Sequence, residues 1–261
     1  MAAQSSIEWT DSTWNPVTGC TKISPGCKHC YAETFAERFR GVPGHPYEQG
    51  FDLKLWPERL EMPLRWKEPK LIFVNSMSDL FHEGVPDEYI AKVFDVMFRA
   101  EHHIFQVLTK RSERMMIWSR QNYRFVNERV NGRSLLPKHI WLGVSVENQK
   151  YTTRISDLQK VPARVRFLSI EPLLGPVELS ASMLRGIHWV IVGGESGHKA
   201  RPMHAEWAGA IQESCRAYSV PFFFKQWGAH NEEGERVGKK AAGRVINGRT
   251  WDQMPATTLT S

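Results

Sequence analysis

The sequence predicts an α/β protein whose parallel sheet is curled into a barrel or an open barrel. Short apolar runs rich in Val, Ile and Phe recur along the chain and do not alternate with polar residues. Strands that are buried on both faces of a parallel sheet have this pattern. Candidate helices lie between the runs, and strand–helix alternation is typical of βαβ units. At least six such strands favour a barrel over a flat doubly wound sheet.

The strands are expected at the apolar runs, with one more inside residues 7–18, before the first cysteine. The runs cover residues 71–74, 104–108, 140–146, 165–170, 189–192 and 221–224.

Four helices are expected, the first starting at Pro86, where acidic residues follow the proline as a helix-start signal. The others span roughly 112–130, 149–160 and 204–218, as judged from apolar residues at helical spacing. The apolar face of the first helix contains Tyr89, Ile90, Val93, Phe94 and Met97, and that of the last contains Trp207, Ile211, Cys215 and Tyr218. Cys215 is therefore interpreted as a core residue.

Composition excludes several classes of protein. The 261 residues are 41% apolar and 24% charged, which is ordinary for a globular protein. The N-terminal residues lack the basic start and apolar stretch of a signal peptide, and no apolar run approaches the ~18 residues of a membrane helix. Four unevenly spaced cysteines indicate a reducing cytosol and a cytoplasmic protein. The net charge of +6 permits a nucleic-acid partner without requiring one.

Polar residues follow each predicted strand. In a β/α barrel the carboxyl ends of the strands open on one face, which carries the active site. We therefore expect one shared cavity lined by strand-end residues. They include residues 75–79, 109–111, 147–148, 171–172, 193–197 and 225–227.

Three of the four cysteines lie in the stretch GCTKISPGCKHCYAE, where Cys20, Cys27 and Cys30 form a C-x6-C-x2-C arrangement. Three thiolates can hold a [4Fe–4S] cluster and leave one iron open for a substrate or cofactor. A zinc site with His29 or His45 as the fourth ligand is the alternative, and a site without metal is a third. Spacing alone does not decide between them.

The cysteine loop followed by Tyr-Ala-Glu resembles radical S-adenosylmethionine (radical SAM) enzymes, although their usual motif is C-x3-C-x2-C. Nearly the whole chain resembles an uncharacterised phage-associated radical SAM-like family, described as a domain of unknown function. The matching blocks are IEWTDSTWNPVTGC, FVNSMSDLFHE, FQVLTKR, WLGVSVEN, RFLSIEPLLGP, VIVGGESG, ARPM, PFFFKQWG and GRTWD.

The resemblance implies a partial (β/α) barrel of the radical SAM type over residues 1–228 and a basic C-terminal extension over 229–261, packed on the barrel. It implies that Cys20, Cys27 and Cys30 ligate a [4Fe–4S] cluster and that S-adenosylmethionine (SAM) binds its open iron. An electron from a reducing donor would then cleave SAM to a 5′-deoxyadenosyl radical, which acts on an unknown substrate. Family members are often encoded beside a protein named as a partner of the three-cysteine motif.

The resemblance also implies cofactor-binding positions. His29 replaces an aromatic residue near the adenine, and residues 75–79 replace the segment that holds the SAM amino group. The Gly-Gly-Glu at residues 193–195 comes several strands later than in the usual motif. The expected cofactor-binding residues are His29, Asn75, Ser76, Asp79, Lys110, Ser145, Glu147, Glu171, Gly193, Gly194 and Glu195.

After Trp227 the pattern changes, and residues 236–250 contain five basic residues and no acid. Basic residues interleaved with glycine suit a nucleic-acid strand. The same stretch also fits a solvated extension, a lid, or a hairpin that turns at Asn247-Gly248. Two other functions remain open on the residues alone, namely a zinc-dependent β/α-barrel hydrolase and a metal-stabilised nucleic-acid-binding protein.

Overall fold

The computed structural model describes residue 5 and residues 7–122 and 135–256, and its centre is a sheet of seven parallel strands. Their order is β1-β4-β5-β6-β7-β8-β9, while β2 and β3 form a separate antiparallel pair. The strands are β1 (Ser12–Trp14), β2 (Val17–Thr18), β3 (Lys54–Leu55), β4 (Leu71–Val74), β5 (Ile104–Thr109), β6 (Ile140–Ser145), β7 (Val165–Ile170), β8 (Trp189–Gly193) and β9 (Phe222–Gln226). All the predicted strands are present.

The sheet curls into a half-barrel. The ring of Trp9 lies 4.7 Å from Phe73 on β4 and 6.1 Å from Trp189 on β8, although three strands separate β4 from β8 in the sheet. Contacts between such distant strands require a strongly curved inner face. The preference for an open barrel over a flat sheet is therefore confirmed.

Most of the helices cover the outer face of this sheet, where the larger apolar core lies. They are α1 (Tyr31–Ala36), α2 (Asp87–Arg99), α3 (Ser112–Gln121), α4 (Thr153–Gln159), α5 (Ala181–Leu184), α6 (Ala205–Ala217) and α7 (Lys239–Ala242). The helix expected over 112–130 ends at Gln121, and residues 123–130 of that prediction lie outside the described residues. Cys215 is buried as predicted, whereas Tyr218 lies beyond the end of α6 and is half exposed.

A smaller aromatic core fills the inside of the half-barrel and explains why the strands do not alternate in polarity. Its members are Trp9, Phe73, Ile104, Trp141, Phe167, Trp189, Ile191 and Phe223. Gly143 makes room for this layer, since a Cβ at that position would lie 2.5 Å from the Phe167 ring. Both faces of the strands are mainly apolar at this level, although the buried Gln106, which pairs with Phe73 and Trp141 in the sheet, donates to Trp9 O at 3.2 Å.

The chain after β9 folds back along the edge of the sheet. The backbone N–H of Phe224 donates to Trp251 O at 2.9 Å, and that of Gln253 donates to Phe222 O at 3.2 Å. Asn247 and Gly248 both have positive φ, at 53° and 76°, and join a bridge between Ile246 and Arg249. The hairpin prediction is thus confirmed, and this segment covers the exposed edge of β9.

No helix in the described part of the chain has both the length and the apolar character needed to cross a membrane.

Candidate active site

A cavity of about 420 Å³ opens at the carboxyl ends of the strands. Its floor includes Trp9, Phe73 and Leu108 of the inner layer, and its walls contain the strand-end residues. All three cysteines of the motif line it, as do nine of the eleven predicted cofactor-binding residues, namely His29, Asn75, Ser76, Asp79, Lys110, Ser145, Glu171, Gly194 and Glu195. Glu147 and Gly193 lie just outside the lining.

The cysteine loop is attached to the barrel at its start by Gly19. The N–H of Gly19 donates to Met77 O at 3.0 Å, which ties the loop to the segment after β4. Gly19 has φ +82°, and a Cβ there would lie 2.2 Å from Asp52 O, so this close approach of two backbones requires glycine.

The middle of the loop is held from two other strand ends. Ser24 Oγ donates to Glu147 Oε1 at 2.5 Å, and Arg201 Nη2 donates to Pro25 O at 2.9 Å. A Cβ on Gly26 would lie 2.6 Å from Glu147 Cγ, so the loop lies directly against this side chain. The loop is therefore fixed relative to the sheet at several points.

The three thiols of the motif are free and partly exposed. Cys20 lies 3.4 Å from Arg111 Nη1. Burial raises the pKa of the Cys20 thiol to about 11, and the Asp79 carboxylate adds to the rise while Arg111 opposes it. Burial also raises the pKa of Cys30. The thiols of Cys20 and Cys30 thus stay protonated at neutral pH until a metal or another positive charge displaces the proton.

The cysteines share one cavity but do not meet at one point. Among the described residues, no group of three or more His, Cys, Asp or Glu side chains is placed to hold a single metal ion. His45 stacks on the Phe39 ring at a centroid distance of 3.8 Å, whereas His29 lines the cavity.

Asp79 organises the end of β5. Its carboxylate accepts hydrogen bonds from Thr109 Oγ1 at 2.7 Å, from the Lys110 N–H at 3.0 Å and from Arg111 Nη1 at 3.3 Å. Arg111 in turn donates to Thr21 Oγ1 at 2.9 Å and to the carboxylate of Glu83 at 3.0 Å. Both Asp79 oxygens are therefore occupied by the protein.

Arg111 was not among the predicted site residues, although it lies in the predicted strand-end cluster beside Lys110. It is 7% exposed and connects Asp79, Cys20 and Thr21. The sequence did contain a signal for this residue, because Arg111 is a second cation directly after Lys110 at the same strand end.

Glu147 lies beneath the cysteine loop rather than in the cavity. It is fully buried, and its Oε2 accepts from Arg154 Nη1 at 2.9 Å. Lys110 Nζ lies 3.9 Å from its Oε1 and donates to Ser145 Oγ at 3.3 Å. Lys110 and Ser145 thus face the cavity, whereas Glu147 supports the loop from behind.

The far wall of the cavity contains a short ion pair between the ends of β7 and β9. Lys225 Nζ donates to Glu171 Oε1 at 2.6 Å, and both side chains are largely buried. Gly193 is the last residue of β8 and Gly194 follows it, beside this pair. A Cβ on Gly194 would lie 1.9 Å from Trp227 O, and one on Gly193 would lie 3.2 Å from Glu171 Cδ, so the two glycines permit close packing here.

Glu195, the acid of the Gly-Gly-Glu segment, is paired with Arg201. Its Oε2 accepts from Arg201 Nε at 2.9 Å, and its Oε1 accepts from Nη2 at 2.5 Å. Burial acts to raise the pKa of Glu195, but the hydrogen bonds from Arg201 prevail and lower it. The carboxylate is therefore ionised, lines the cavity, and holds the arginine that reaches the cysteine loop.

Most basic residues of the C-terminal segment are occupied by the protein itself. Lys239 Nζ lies 3.0 Å from Glu8 Oε1, Arg244 pairs with Asp252, Arg249 lies 3.5 Å over the Trp251 ring, and Arg236 donates to Gly197 O. These contacts attach the segment to the barrel and leave few of its cations available to an external phosphate.

Solved structures of spore photoproduct lyase, a radical SAM enzyme, share this fold at low sequence identity. A tyrosine-to-phenylalanine mutant aligns with a TM-score of 0.53 at 9% identity, over 87% of this chain and 79% of that chain. A cysteine-to-alanine mutant aligns with a TM-score of 0.51 at 12% identity, over 86% and 78%. These likenesses confirm the predicted partial barrel of the radical SAM type.

The lyase complexed with dinucleoside spore photoproduct aligns with a TM-score of 0.47 at 11% identity, over 82% of this chain. The alignment covers 63% of that chain, so this protein spans less than two-thirds of its length. A search of curated proteins finds no match.

The family model described as "Protein of unknown function (DUF5131)" matches residues 4–255. This match covers nearly the whole chain, including the cysteine loop, the seven parallel strands and the segment that covers β9. The chain therefore belongs to the DUF5131 family.

Proposed function

We propose that this protein is a radical SAM enzyme that holds a [4Fe–4S] cluster on Cys20, Cys27 and Cys30. One observation carries the proposal. The three free cysteines line a single cavity at the carboxyl ends of a partial barrel of the radical SAM type. This is the face on which β/α barrels carry their active sites.

The residues present fit such a cluster. Thiolates are the usual protein ligands of iron–sulfur clusters, and each of the three would bind a different iron. Three thiols in one cavity suit such a cluster, because they need not converge on one metal centre. Arg111, 3.4 Å from Cys20, supplies a positive charge that stabilises a thiolate at that position.

Binding of a single zinc ion is a weaker hypothesis than binding of a cluster. It needs about four ligands around one centre at roughly 2.0–2.3 Å. Within the described ranges no such group of His, Cys, Asp or Glu side chains is found. His45, which the zinc hypothesis offered as fourth ligand, is stacked against Phe39 instead. A zinc-dependent hydrolase therefore receives no support from the geometry.

A cluster bound by these cysteines would supply the one-electron reducing chemistry that cleaves SAM to methionine and a 5′-deoxyadenosyl radical. The chain's own residues would position and shield the reactants. Lys110, Ser145 and Glu195 offer cationic, hydroxyl and carboxylate groups to SAM or the substrate. The apolar floor of Trp9, Phe73 and the partly buried Leu108 excludes water from below, which would protect a reactive species. Asp79, Glu147 and Arg201 act as positioning residues, because their contacts are made to the protein.

His29 and Ser76 line the same cavity and complete the proposed SAM-binding set with Asn75, Glu171, Gly193 and Gly194. A cytoplasmic location, a reducing electron donor, a protein partner encoded nearby and an association with phages belong to the proposal as expectations from the family resemblance.

Anaerobic reconstitution with iron and sulfide tests the proposal. We expect a brown protein whose broad visible absorption bleaches with dithionite, and which releases 5′-deoxyadenosine from SAM when reduced. Cys→Ala changes at positions 20, 27 and 30 should each remove most of the colour. Cys215→Ala is the matched control, because that thiol is buried in the outer core.

Two results would contradict the proposal. Stoichiometric zinc without iron after anaerobic reconstitution would support the zinc alternative. A cluster that forms but whose paramagnetic spectrum does not respond to SAM would indicate a structural or electron-transfer role.

A further inference from the structure

The guanidinium of Arg111 contacts the cysteine motif, and the protein fixes its orientation at every N–H. Its Nη1 donates to Cys20 Sγ at 3.4 Å and to Asp79 Oδ2 at 3.3 Å. Nη2 donates to Thr21 O at 3.2 Å and to Thr21 Oγ1 at 2.9 Å, and Nε donates to the Glu83 carboxylate at 3.0 Å. A guanidinium has its five N–H donors in one plane, so the N–H toward Cys20 cannot turn away without breaking the other contacts.

This contact distinguishes Cys20 from the other cysteines of the motif. In the described part of the chain, no other cationic side chain donates to one of these sulfurs. Ser24 Oγ lies 3.6 Å from Cys27 Sγ, but it donates its single proton to Glu147 Oε1 at 2.5 Å. Ser24 therefore has no proton left for a Cys27 thiolate. The motif thus has a charged donor at Cys20 and none of that kind at Cys27.

Two carboxylates offset part of the charge of Arg111 without replacing its contact. The side chain of Asp79 is 8% exposed, whereas that of Glu83 is 67% exposed and its charge is screened by solvent. An ionised carboxylate has no proton to donate, so neither group can form a hydrogen bond to a thiolate. Asp79 and Glu83 instead hold the guanidinium in the position from which it reaches Cys20.

A hydrogen bond to a ligating sulfur changes the reduction potential of an iron–sulfur cluster. One-electron reduction adds one negative charge to the cluster and its thiolates. A cationic N–H donor beside a sulfur therefore stabilises the reduced form more than the oxidised form, and so raises the potential. The effect is larger for a charged donor than for a neutral one, because charge-assisted hydrogen bonds are roughly twice as strong.

We propose that Arg111 is a positioning residue for the cluster, which fixes Cys20 and raises the potential at which the cluster is reduced. The inference rests on the proposed function, since it concerns the reduction of a cluster at the same site. The role falls to Arg111 rather than to the neighbouring Lys110, which donates to Ser145 Oγ at 3.3 Å and not to a cysteine.

Anaerobic redox titration of the reconstituted protein without SAM, followed by the paramagnetic signal of the reduced cluster, tests the inference. Arg111→Gln keeps a hydrogen-bonding amide but removes the charge. We expect the equilibrium constant for reduction to fall roughly tenfold, as for the loss of a hydrogen bond to a charged group, which lowers the potential by about 59 mV. Arg111→Lys keeps the charge but loses the planar fork, so we expect a smaller fall of roughly threefold.

Arg114→Gln is the matched control, because it removes one positive charge three residues further along the chain. Arg114 lies on α3 and donates to Val85 O at 2.6 Å and to Asp87 Oδ1 at 2.9 Å, not to the cysteine loop. We expect its equilibrium constant for reduction to equal that of the wild type within roughly twofold, since a partly exposed, paired charge is screened. Urea unfolding of each variant without cluster separates lost stability from a changed potential.

A wild-type potential in both Arg111 variants would overturn the inference and leave the proposed function intact. Equal falls in Arg111→Gln and Arg114→Gln would also overturn it, because the effect would then reflect net charge alone. If Arg111→Gln does not retain iron, Arg111→Lys decides, and an unchanged potential in that variant counts against the inference. A wild-type protein that forms no iron–sulfur cluster refutes the proposed function itself, which iron and sulfide analysis shows before any titration.

Discussion

Removing the carboxylate of Glu147 should loosen the cysteine loop without touching a cysteine. Glu147 is fully buried and joins Ser24 of the loop, at 2.5 Å, to Arg154, at 2.9 Å. Glu147→Ala leaves the buried guanidinium of Arg154 without its carboxylate, which costs about 3–5 kcal/mol. Since domains are stable by only about 5–15 kcal/mol, the loss should be large in urea unfolding.

Glu147→Gln separates the loop contact from the ion pair. The amide keeps a hydrogen-bonding group beside Ser24 but loses the charge, so we expect a smaller cost of about 1.5–3 kcal/mol. A double-mutant cycle with Ser24→Ala should give a coupling of about 0.5–3 kcal/mol, together with weaker retention of iron after reconstitution. Additive effects within about 0.3 kcal/mol, with unchanged iron retention, would refute the idea that this contact holds the loop.

Three further predictions concern packing and pH. Burial lowers the pKa of His103 to about 4. Its contribution to the free energy of unfolding is therefore complete above pH 6.5 and falls by about 3 kcal/mol as the pH drops toward 4. His103→Phe should flatten this part of the pH profile of urea unfolding. Gly194→Ala should cost about 1–3 kcal/mol, because its Cβ would strike a backbone carbonyl, whereas Gly209→Ala in open space on α6 should stabilise by about 0.5–1 kcal/mol in the same assay. Arg244→Ala should lower the free energy of unfolding by about 1 kcal/mol, because its contacts with Phe224 O and Asp252 are lost. Lys240→Ala, at an exposed position in the same segment, should lower it by less than about 0.5 kcal/mol, as measured by thermal unfolding.

The strands could be predicted because burial on both faces leaves a strong apolar signal. The inner aromatic layer and the outer helical core together remove the alternation, and that pattern is specific to a covered parallel sheet. Trp9 was missed as part of this layer, since it precedes β1 and belongs to no apolar run. Its place inside the half-barrel depends on the curl of the sheet, which no local pattern encodes.

The strand-end residues could be located from the sequence, but their orientations could not. Residues 141, 143 and 145 alternate inward along β6, and continuing the alternation would point Glu147 into the cavity. The strand ends at Ser145, however, and the chain turns so that Glu147 faces the cysteine loop. A turn of one or two residues after a strand reverses the direction of a side chain, and the sequence does not specify it.

The partners of the basic residues in the C-terminal segment could not be predicted from the sequence either. Five cations without an acid resemble a phosphate-binding stretch, yet two of them have partners from distant parts of the chain. Glu8 pairs with Lys239, and Gly197 O accepts from Arg236. The hairpin at Asn247-Gly248 was predictable because two consecutive residues with positive φ have a local sequence signature, whereas long-range ion pairs have none.

The main role of the charged side chains around the cavity is to hold the cysteine loop against the sheet, rather than to give the cavity a net charge. Asp79 with Arg111 holds Thr21, Glu147 holds Ser24, and Glu195 with Arg201 holds Pro25. These three contacts come from the ends of β5, β6 and β8, so the loop is attached to several strands of one sheet. Buried ion pairs are weak contributors to stability but are destabilising to break, which makes them suited to fixing one geometry. A loop fixed in this way holds its three thiols in place, so the proposed cluster would form without ordering the loop.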